Sequence, residues 1–180
     1  FLDHRPTRKR VAAEASGKDV LNLFCYTGAF TVYAAAGGAR SSLSIDLSKT
    51  YTRWAQDNLE LNQLSGSSHR VEQRDVLAWL GKDGGQDFDL AIVDPPTFSN
   101  SKRMDRAFDI DKDHPWLLER AVARLRPGGV CYFSTNYRRF KLADDLDLGS
   151  ATIDDISQAS VPPDFRNRRI HRCFRIARPS

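Results

Sequence analysis

The stretch FDLAIVDPP, residues 88 to 96, constrains this chain more than any other. Its near-continuous apolar run suits a strand covered on both faces, the situation of a parallel sheet flanked by helices. Two prolines directly behind Asp94 fix φ, remove two backbone donors and force the chain away from the sheet. The Asp94 carboxylate and the neighbouring carbonyls are left at the strand's carboxyl end with no competing local amide. In open α/β sheets ligands bind at that end, beside the point where the strand order reverses. A proline stop that merely protects a strand end is the plain alternative, and the position on the rim favours the functional one.

The rest of the chain supplies neighbours for such a strand. DVLNLF (19 to 24), SSLSID (41 to 46), HRVEQRD (69 to 75) and VCYFSTN (130 to 136) read as further strands. Between them, TVYAAAGGA is a small-residue helix stopping at Gly37-Gly38, and VLAWL is a short helix. SKTYTRWAQDNLELN (48 to 62) is a helix capped by Ser48, with Tyr51, Trp54, Ala55, Leu59 and Asn62 on one 3.6-period face. PWLLERAVARL (115 to 125) is a helix with proline in its first turn, broken by RPGG. Strands alternating with helices through short turns predict a doubly wound α/β sheet. After residue 150 the rhythm changes: ATIDDISQA and RIHRCFRIA are two β-like stretches without a helix between them, which predicts an antiparallel hairpin at the sheet edge.

Length and composition bound what this sheet can belong to. The 180 residues, 41% hydrophobic and 28% charged, predict one soluble globular domain with a basic leader over 1 to 16. No apolar run reaches the roughly 20 residues of a membrane helix, so no membrane partner is expected. The chain opens on Phe1 and its only methionine is Met104, so a fragment of a longer protein is expected. Three widely spaced cysteines, Cys25, Cys131 and Cys173, with no C-x-x-C, argue against a disulfide framework or zinc and for a reducing cytoplasm. DIDKDH (109 to 114) opens like a calcium loop, but His114 and Arg120 stand where the turn glycine and bidentate Glu belong. A helix start with N-terminal acids is the better reading, and no metal is expected. Net charge is +4, with arginines concentrated at both ends of the chain. That pattern suits a nucleic-acid face or, equally, an edge strand guarded by charge.

Strand-end residues are the candidates for chemistry. After the first strand stand Asn22, Phe24, Tyr26, Thr27 and Gly28, without the G-x-G-x-x-G cradle of a dinucleotide fold. Strand two ends on Asp46, placed to accept from two ribose hydroxyls, and strand three on Asp75, placed to accept from an adenine amino group. Any one of these aspartates alone would more often be a helix cap. Three aspartates, 46, 75 and 94, on one rim predict a nucleoside site, and capping is compatible with it.

At this point the residues carry a resemblance. NLFCYTGAF, SIDLSKTY, RDVLAWL and DPPTFSNSKR, in that order and spacing, resemble the class I S-adenosylmethionine-dependent methyltransferases. DPPTFSNSKRM, DHPWLLERAVARLRPGG, FSTNYRRFK and DFRNRRIHRCF are similar to the C-terminal half of the bifunctional bacterial large-subunit rRNA methyltransferases. The resemblance implies a Rossmann-like, mostly parallel seven-stranded sheet, S-adenosylmethionine as cofactor, and methylation of guanine N7 in 23S ribosomal RNA or a large-subunit precursor. It also implies a fused N-terminal partner that makes N2-methylguanine. Carried over by position, Asp46 with Leu47 binds the donor's ribose, Asp75 with Val76 its adenine, and Asn22 to Gly28 its methionine end, with Arg5 closing the pocket. Asp94, Pro95, Pro96 and Phe98 face the target base. Ser99, Asn100, Ser101, Lys102 and Arg103 grip base edge and phosphate, with Arg138, Arg139, Arg168 and Arg169 as further RNA contacts.

The alternatives are a 5-methylcytosine enzyme, an adenine-N6 enzyme, a non-catalytic RNA-binding module with a vestigial donor pocket, and a nicotinamide oxidoreductase. The first needs a cysteine nucleophile near the strand-five turn, where Thr135 stands. The second usually has an aromatic directly after the double proline, where Thr97 stands. The complete set of strand-end acids argues against the third, and the missing glycine pattern against the fourth.

Overall fold

The computed structural model describes residues 2–82, 84–85, 87–100 and 107–180. Seven strands form the main sheet: β1 (Asp19–Leu23), β2 (Ser41–Asp46), β3 (His69–Gln73), β4 (Phe88–Val93), β7 (Leu125–Thr135), β8 (Thr152–Asp155) and β9 (Arg172–Ala177). Two short strands, β5 (Phe98–Ser99) and β6 (Phe108–Asp109), pair antiparallel as a separate ribbon behind the double proline. The spatial order of the sheet is β3-β2-β1-β4-β7-β9-β8. Its first five strands run parallel, and β9 is antiparallel to both β7 and β8. The doubly wound, mostly parallel seven-stranded sheet with an antiparallel C-terminal pair is thus present. The chain's last strand, however, lies inside the order rather than at the edge.

Sequence accounts for the local pieces. Every residue of β1 is buried, and so are five of six in β4, as a strand flanked by helices on both faces requires. Helices α1 (Arg5–Glu14), α2 (Ala29–Ala36) and α3 (Lys49–Leu61) pack together on one face, while α4 (Val76–Leu80) and α5 (Ile110–Ala123) meet on the other. Val11, Ala15, Phe30 and Ala34 bury against Leu90, Ile92 and Tyr132 on the first face. Leu77, Leu80, Leu117, Leu118 and Ala121 bury against Leu21, Leu23, Ala91 and Phe133 on the second. Gly37 lets α1 and α2 touch, since a Cβ there would sit 2.1 Å from the Ala12 carbonyl oxygen.

Several sequence expectations are corrected. The leader is a helix, preceded by a 3-10 turn over Leu2–His4. Helix α5 starts at Ile110, not at Pro115, because Asp109 caps it and Asp111 and Asp113 favour its first turn. The DIDKDH run is therefore a helix start, as expected. RPGG does not separate helix from strand but lies within β7, where Gly128 and Gly129 pair with the chain end through Pro179 and Arg178. A short helix α6 (Ser157–Ser160) stands between β8 and β9. Ser48 caps α3 by accepting from the Tyr51 amide at 3.3 Å, but the buried face of that helix is Thr52, Ala55 and Leu59. Tyr51 and Trp54 are exposed at its edge, since a strip three residues wide already fills the contact with β2 and α2.

Candidate active site

The carboxyl ends of β1, β2, β4 and β7 open into one cavity of about 500 Å³. Phe24, Tyr26, Asp46, Leu47, Asp75, Val76, Asp94, Pro95, Pro96 and Ser99, all expected from sequence, line it. It spans the reversal of strand order between β1 and β4, where the topology leaves a crevice.

Asp46 is the best-anchored group in it. One carboxylate oxygen accepts from the Ser48 amide at 2.9 Å and the other from the Tyr26 amide at 3.0 Å. The loop after β1 is drawn toward it, and Phe24 and Tyr26 take positive φ values of 56° and 48° to do so. Bulky residues rarely adopt that conformation, so the turn stores strain where it faces the cavity. Burial disfavours the charged form of Asp46 and raises its pKa above the ordinary value, against the lowering pull of its backbone donors. A carboxylate offers about four acceptor positions, so capacity remains for two hydroxyl donors.

Asp75 caps α4, accepting from the Leu77 amide at 2.8 Å and the Ala78 amide at 3.4 Å. Asp94 accepts from the Ser134 hydroxyl at 2.7 Å, and its other oxygen lies 3.9 Å from His4 Nε2. A turn closed by the Tyr137 amide on Thr135 Oγ1, at 3.2 Å, sets Asn136 at the end of β7 into the cavity wall.

Other expected residues stand elsewhere. Arg5 does not close the cavity; its guanidinium pairs with Asp164 on the surface. Asn22 points into the core, where its amide donates to Thr31 Oγ1 at 2.8 Å and Thr31 meets Ser44. Thr27 lies outside the lining, its carbonyl accepting from Asn58 at 2.8 Å. Gly28 serves packing: φ is 69°, and a Cβ would come 2.7 Å from the Ala55 Cβ of α3. Phe98 is 58% exposed on the ribbon, with Ser99 taking the inward place. Asn100, Arg138, Arg139, Arg168 and Arg169 are exposed, Arg168 donating to the Gln158 carbonyl at 2.8 Å. Ser101, Lys102 and Arg103 lie outside the described residues.

Among the described residues, sequence reasoning missed four that line the cavity: Ser48, Tyr51, Phe108 and Asn136. Asn136 obeys the same strand-end rule that found the aspartates. Phe108 carries no local signal, because the ribbon with Ser99 brings it in.

Residues 1–165 match the family described as S-adenosylmethionine-dependent methyltransferase. The chain belongs to that family. It is 56% identical to the ribosomal RNA large subunit methyltransferase K/L of Ectopseudomonas mendocina strain ymp, over 98% of its own length. The protein of the same name from Pseudomonas aeruginosa PAO1 is 54% identical over the same share. The chain spans only 24% of each of these relatives. Among solved structures, SMU.776 complexed with SAH is 28% identical with a TM-score of 0.85, covering 98% of this chain and 50% of that one. A methyltransferase from Agrobacterium tumefaciens, 20% identical with a TM-score of 0.73 over 96% of this chain and 59% of that one, shares the fold.

The cofactor of the family is S-adenosylmethionine, and the cavity suits it. A desolvated carboxylate with spare acceptor capacity matches a ribose diol, and apolar Leu47, Val76 and Phe108 line the same cavity, as the faces of a purine require. The chain offers no thiol to the reaction among the described residues: all three cysteines are buried, which pushes Cys131 and Cys173 up to about 12 and Cys25 higher still. No helix among the described residues is long and apolar enough to cross a membrane.

Proposed function

We propose that this chain methylates N7 of a guanine in 23S ribosomal RNA, acting in the cytoplasm on RNA of the large subunit or its precursor. The observation that carries the reading is the single cavity that holds Asp46, Asp75 and Asp94 together at three successive strand ends. High identity to proteins named for large-subunit RNA methylation supports the substrate class. The fraction of those relatives that this chain spans supports a fused partner half in the natural protein.

In this reading Asp46 with Leu47 holds the donor's ribose, Asp75 with Val76 its adenine, and Phe24 and Tyr26 the methionine end. The bound cofactor supplies an electrophilic methyl group on a sulfonium centre. Guanine N7 carries a free lone pair, so the protein need not remove a proton. Its work is to align the base and to steady the positive charge that grows on the imidazole part of the purine. Asp94, on a turn stiffened by Pro95 and Pro96 and tethered by Ser134, would take that task. A 5-methylcytosine enzyme needs a thiolate beside the base, and three buried, protonated thiols speak against it. Ser99 and Asn100, with Lys102 and Arg103 next in sequence, and Arg138, Arg139, Arg168 and Arg169 would hold the RNA strand.

The test is to incubate the chain with unmodified ribosomal RNA and labelled S-adenosylmethionine, then map the product by mass. One 7-methylguanine at a single position is the expected product. Label on a cytosine, on an adenine or on guanine N2, or cofactor bound with no transfer, would refute the reading.

A further inference from the structure

Behind Asp94, on the side away from the cavity, the two ends of the chain meet in a buried histidine pair. His4 and His171 stack face to face, ring centroids 4.4 Å apart and planes 9° from parallel. His171 is fixed at both nitrogens, Nδ1 on Asp3 Oδ2 at 2.9 Å and Nε2 on Ser160 Oγ at 2.7 Å. His4 is not: it is 1% exposed, yet among the described residues neither ring nitrogen has a hydrogen-bond partner. An unmet buried polar group is costly, so such a side chain calls for a partner formed in another state. The nearest anions to Nε2 are Asp3 Oδ2 at 3.8 Å and Asp94 Oδ2 at 3.9 Å. Asp3 is already engaged by His171; Asp94 has one oxygen held by Ser134 and this second one facing His4.

Ligand atoms of Asp3, His4 and His171 do lie within 4.8 Å of one another. They do not make a convincing metal centre, because face-stacked rings direct their in-plane lone pairs side by side rather than toward one ion.

We infer that His4 is a positioning residue for Asp94: with substrate in place its Nε2–H donates to Asp94 Oδ2, so that the carboxylate is gripped on both oxygens. The move needed is about 1 Å, the difference between the present separation and an ordinary N–H to oxygen hydrogen bond. The inference rests on the proposed role of Asp94 at the target base. Neutrality is what makes histidine suitable. A cation beside Asp94 would cancel the negative field offered to the developing purine cation, whereas a neutral N–H steadies the carboxylate by its dipole alone. The charged and titratable groups around His4 are Asp94, His171, Asp3 and Arg8, and burial outweighs the acids, lowering its pKa from the ordinary value. The ring stack with His171, and Phe30 5.8 Å away, leave the imidazole little freedom to turn.

Three substitutions and one spectrum test this. His4→Phe keeps the ring stack and removes the donor; His4→Gln restores an N–H of similar reach. With folding and cofactor affinity checked by thermal melt and calorimetry, His4→Phe is expected to lower kcat roughly 10- to 100-fold and His4→Gln to recover most of it. In an Asp94→Asn background, His4→Phe should cost almost nothing further. A His4→Phe chain with wild-type kcat, or one equally impaired on both backgrounds, overturns the inference and leaves the reading of Asp94 intact. An Asp94→Asn chain as active as wild type overturns that reading and the inference with it. Should His4→Phe fail to fold, imidazole 15N shifts of the wild-type chain decide: a neutral Nε2–H tautomer at neutral pH supports the inference, and a proton on Nδ1 alone or an imidazolium refutes it.

Discussion

Asp46, the ribose-binding carboxylate of the proposed reading, is sheltered and already half satisfied by the Ser48 and Tyr26 amides. Burial raises its pKa, so it takes up a proton at higher pH than a free aspartate whose value is 3.8. Its charged form accepts from donors; its protonated form accepts less and competes for an acceptor of its own. Cofactor affinity should therefore be flat near neutrality and fall as pH drops toward a midpoint above 3.8, by calorimetry. The sign for stability is opposite. A raised acid pKa means that the folded state holds the proton more tightly, so protonating Asp46 itself does not unfold the chain. Loss of binding at a pH where the melting temperature is unchanged is the expected signature. The Asp46→Asn chain should bind poorly throughout and show no such midpoint. This residue was legible in the sequence because strand ends on the rim are few and an aspartate there is easily recognised. Asn22, Thr27 and Arg5 were not, because proximity to the rim in sequence says nothing about which face a side chain takes. Asn22 alternates into the core against Thr31, and Arg5 finds Asp164, 159 residues away.

In the proposed reading Asp75 both builds an element and serves the site. Its carboxylate caps the five-residue helix α4 through two amides. Asp75→Ala should cost about 1 kcal/mol of stability for the lost cap and also weaken the cofactor. Asp75→Ser should keep the cap and lose the reach. Wild-type melting with reduced cofactor affinity in the serine variant would separate the two roles; wild-type affinity would assign Asp75 to capping alone. Gly28, expected at the cofactor, belongs instead to the joint between α2 and α3. Gly28→Ala forces a left-handed backbone and a clash with Ala55, and should destabilise by about 2–4 kcal/mol in denaturant melts. Helices and strands with a continuous period were readable from the sequence. Boundaries set by caps were less so: capped by Asp109, α5 begins at Ile110, five residues before the proline that resembled its start. Tyr51 and Trp54 fit the helical period yet are displaced from the buried face by the narrow Ala55 and Leu59 contact.

Charge distribution acts on the scale of the whole molecule. The arginine-rich ends expected as a nucleic-acid face are partly spent on the fold: Arg172 pairs with Asp155 at 2.6 Å, Arg175 reaches Glu14 at 3.7 Å, and Arg178 donates to the Leu125 carbonyl. Arg138 and Arg139 stand exposed two and three residues beyond the cavity-lining Asn136. Replacing Arg139 by Ala should weaken RNA binding about equally across sequences. It should also flatten the plot of log affinity against log salt by about 0.7 to 0.9, the share of one phosphate contact. An unchanged slope would place the RNA elsewhere. Composition announced the excess of arginine, but only the packed structure shows which of these side chains hold the protein together.

The position of β9 between β7 and β8 has a consequence for how this molecule comes into being. A ribosome delivers β7 and β8 before β9, yet β8 joins the sheet only through β9, which pairs with both. Until residues 172 to 177 have emerged, β7 displays an unclaimed row of amides and carbonyls, the kind of edge on which chains stick to one another. Closure of the sheet therefore waits for the emergence of β9.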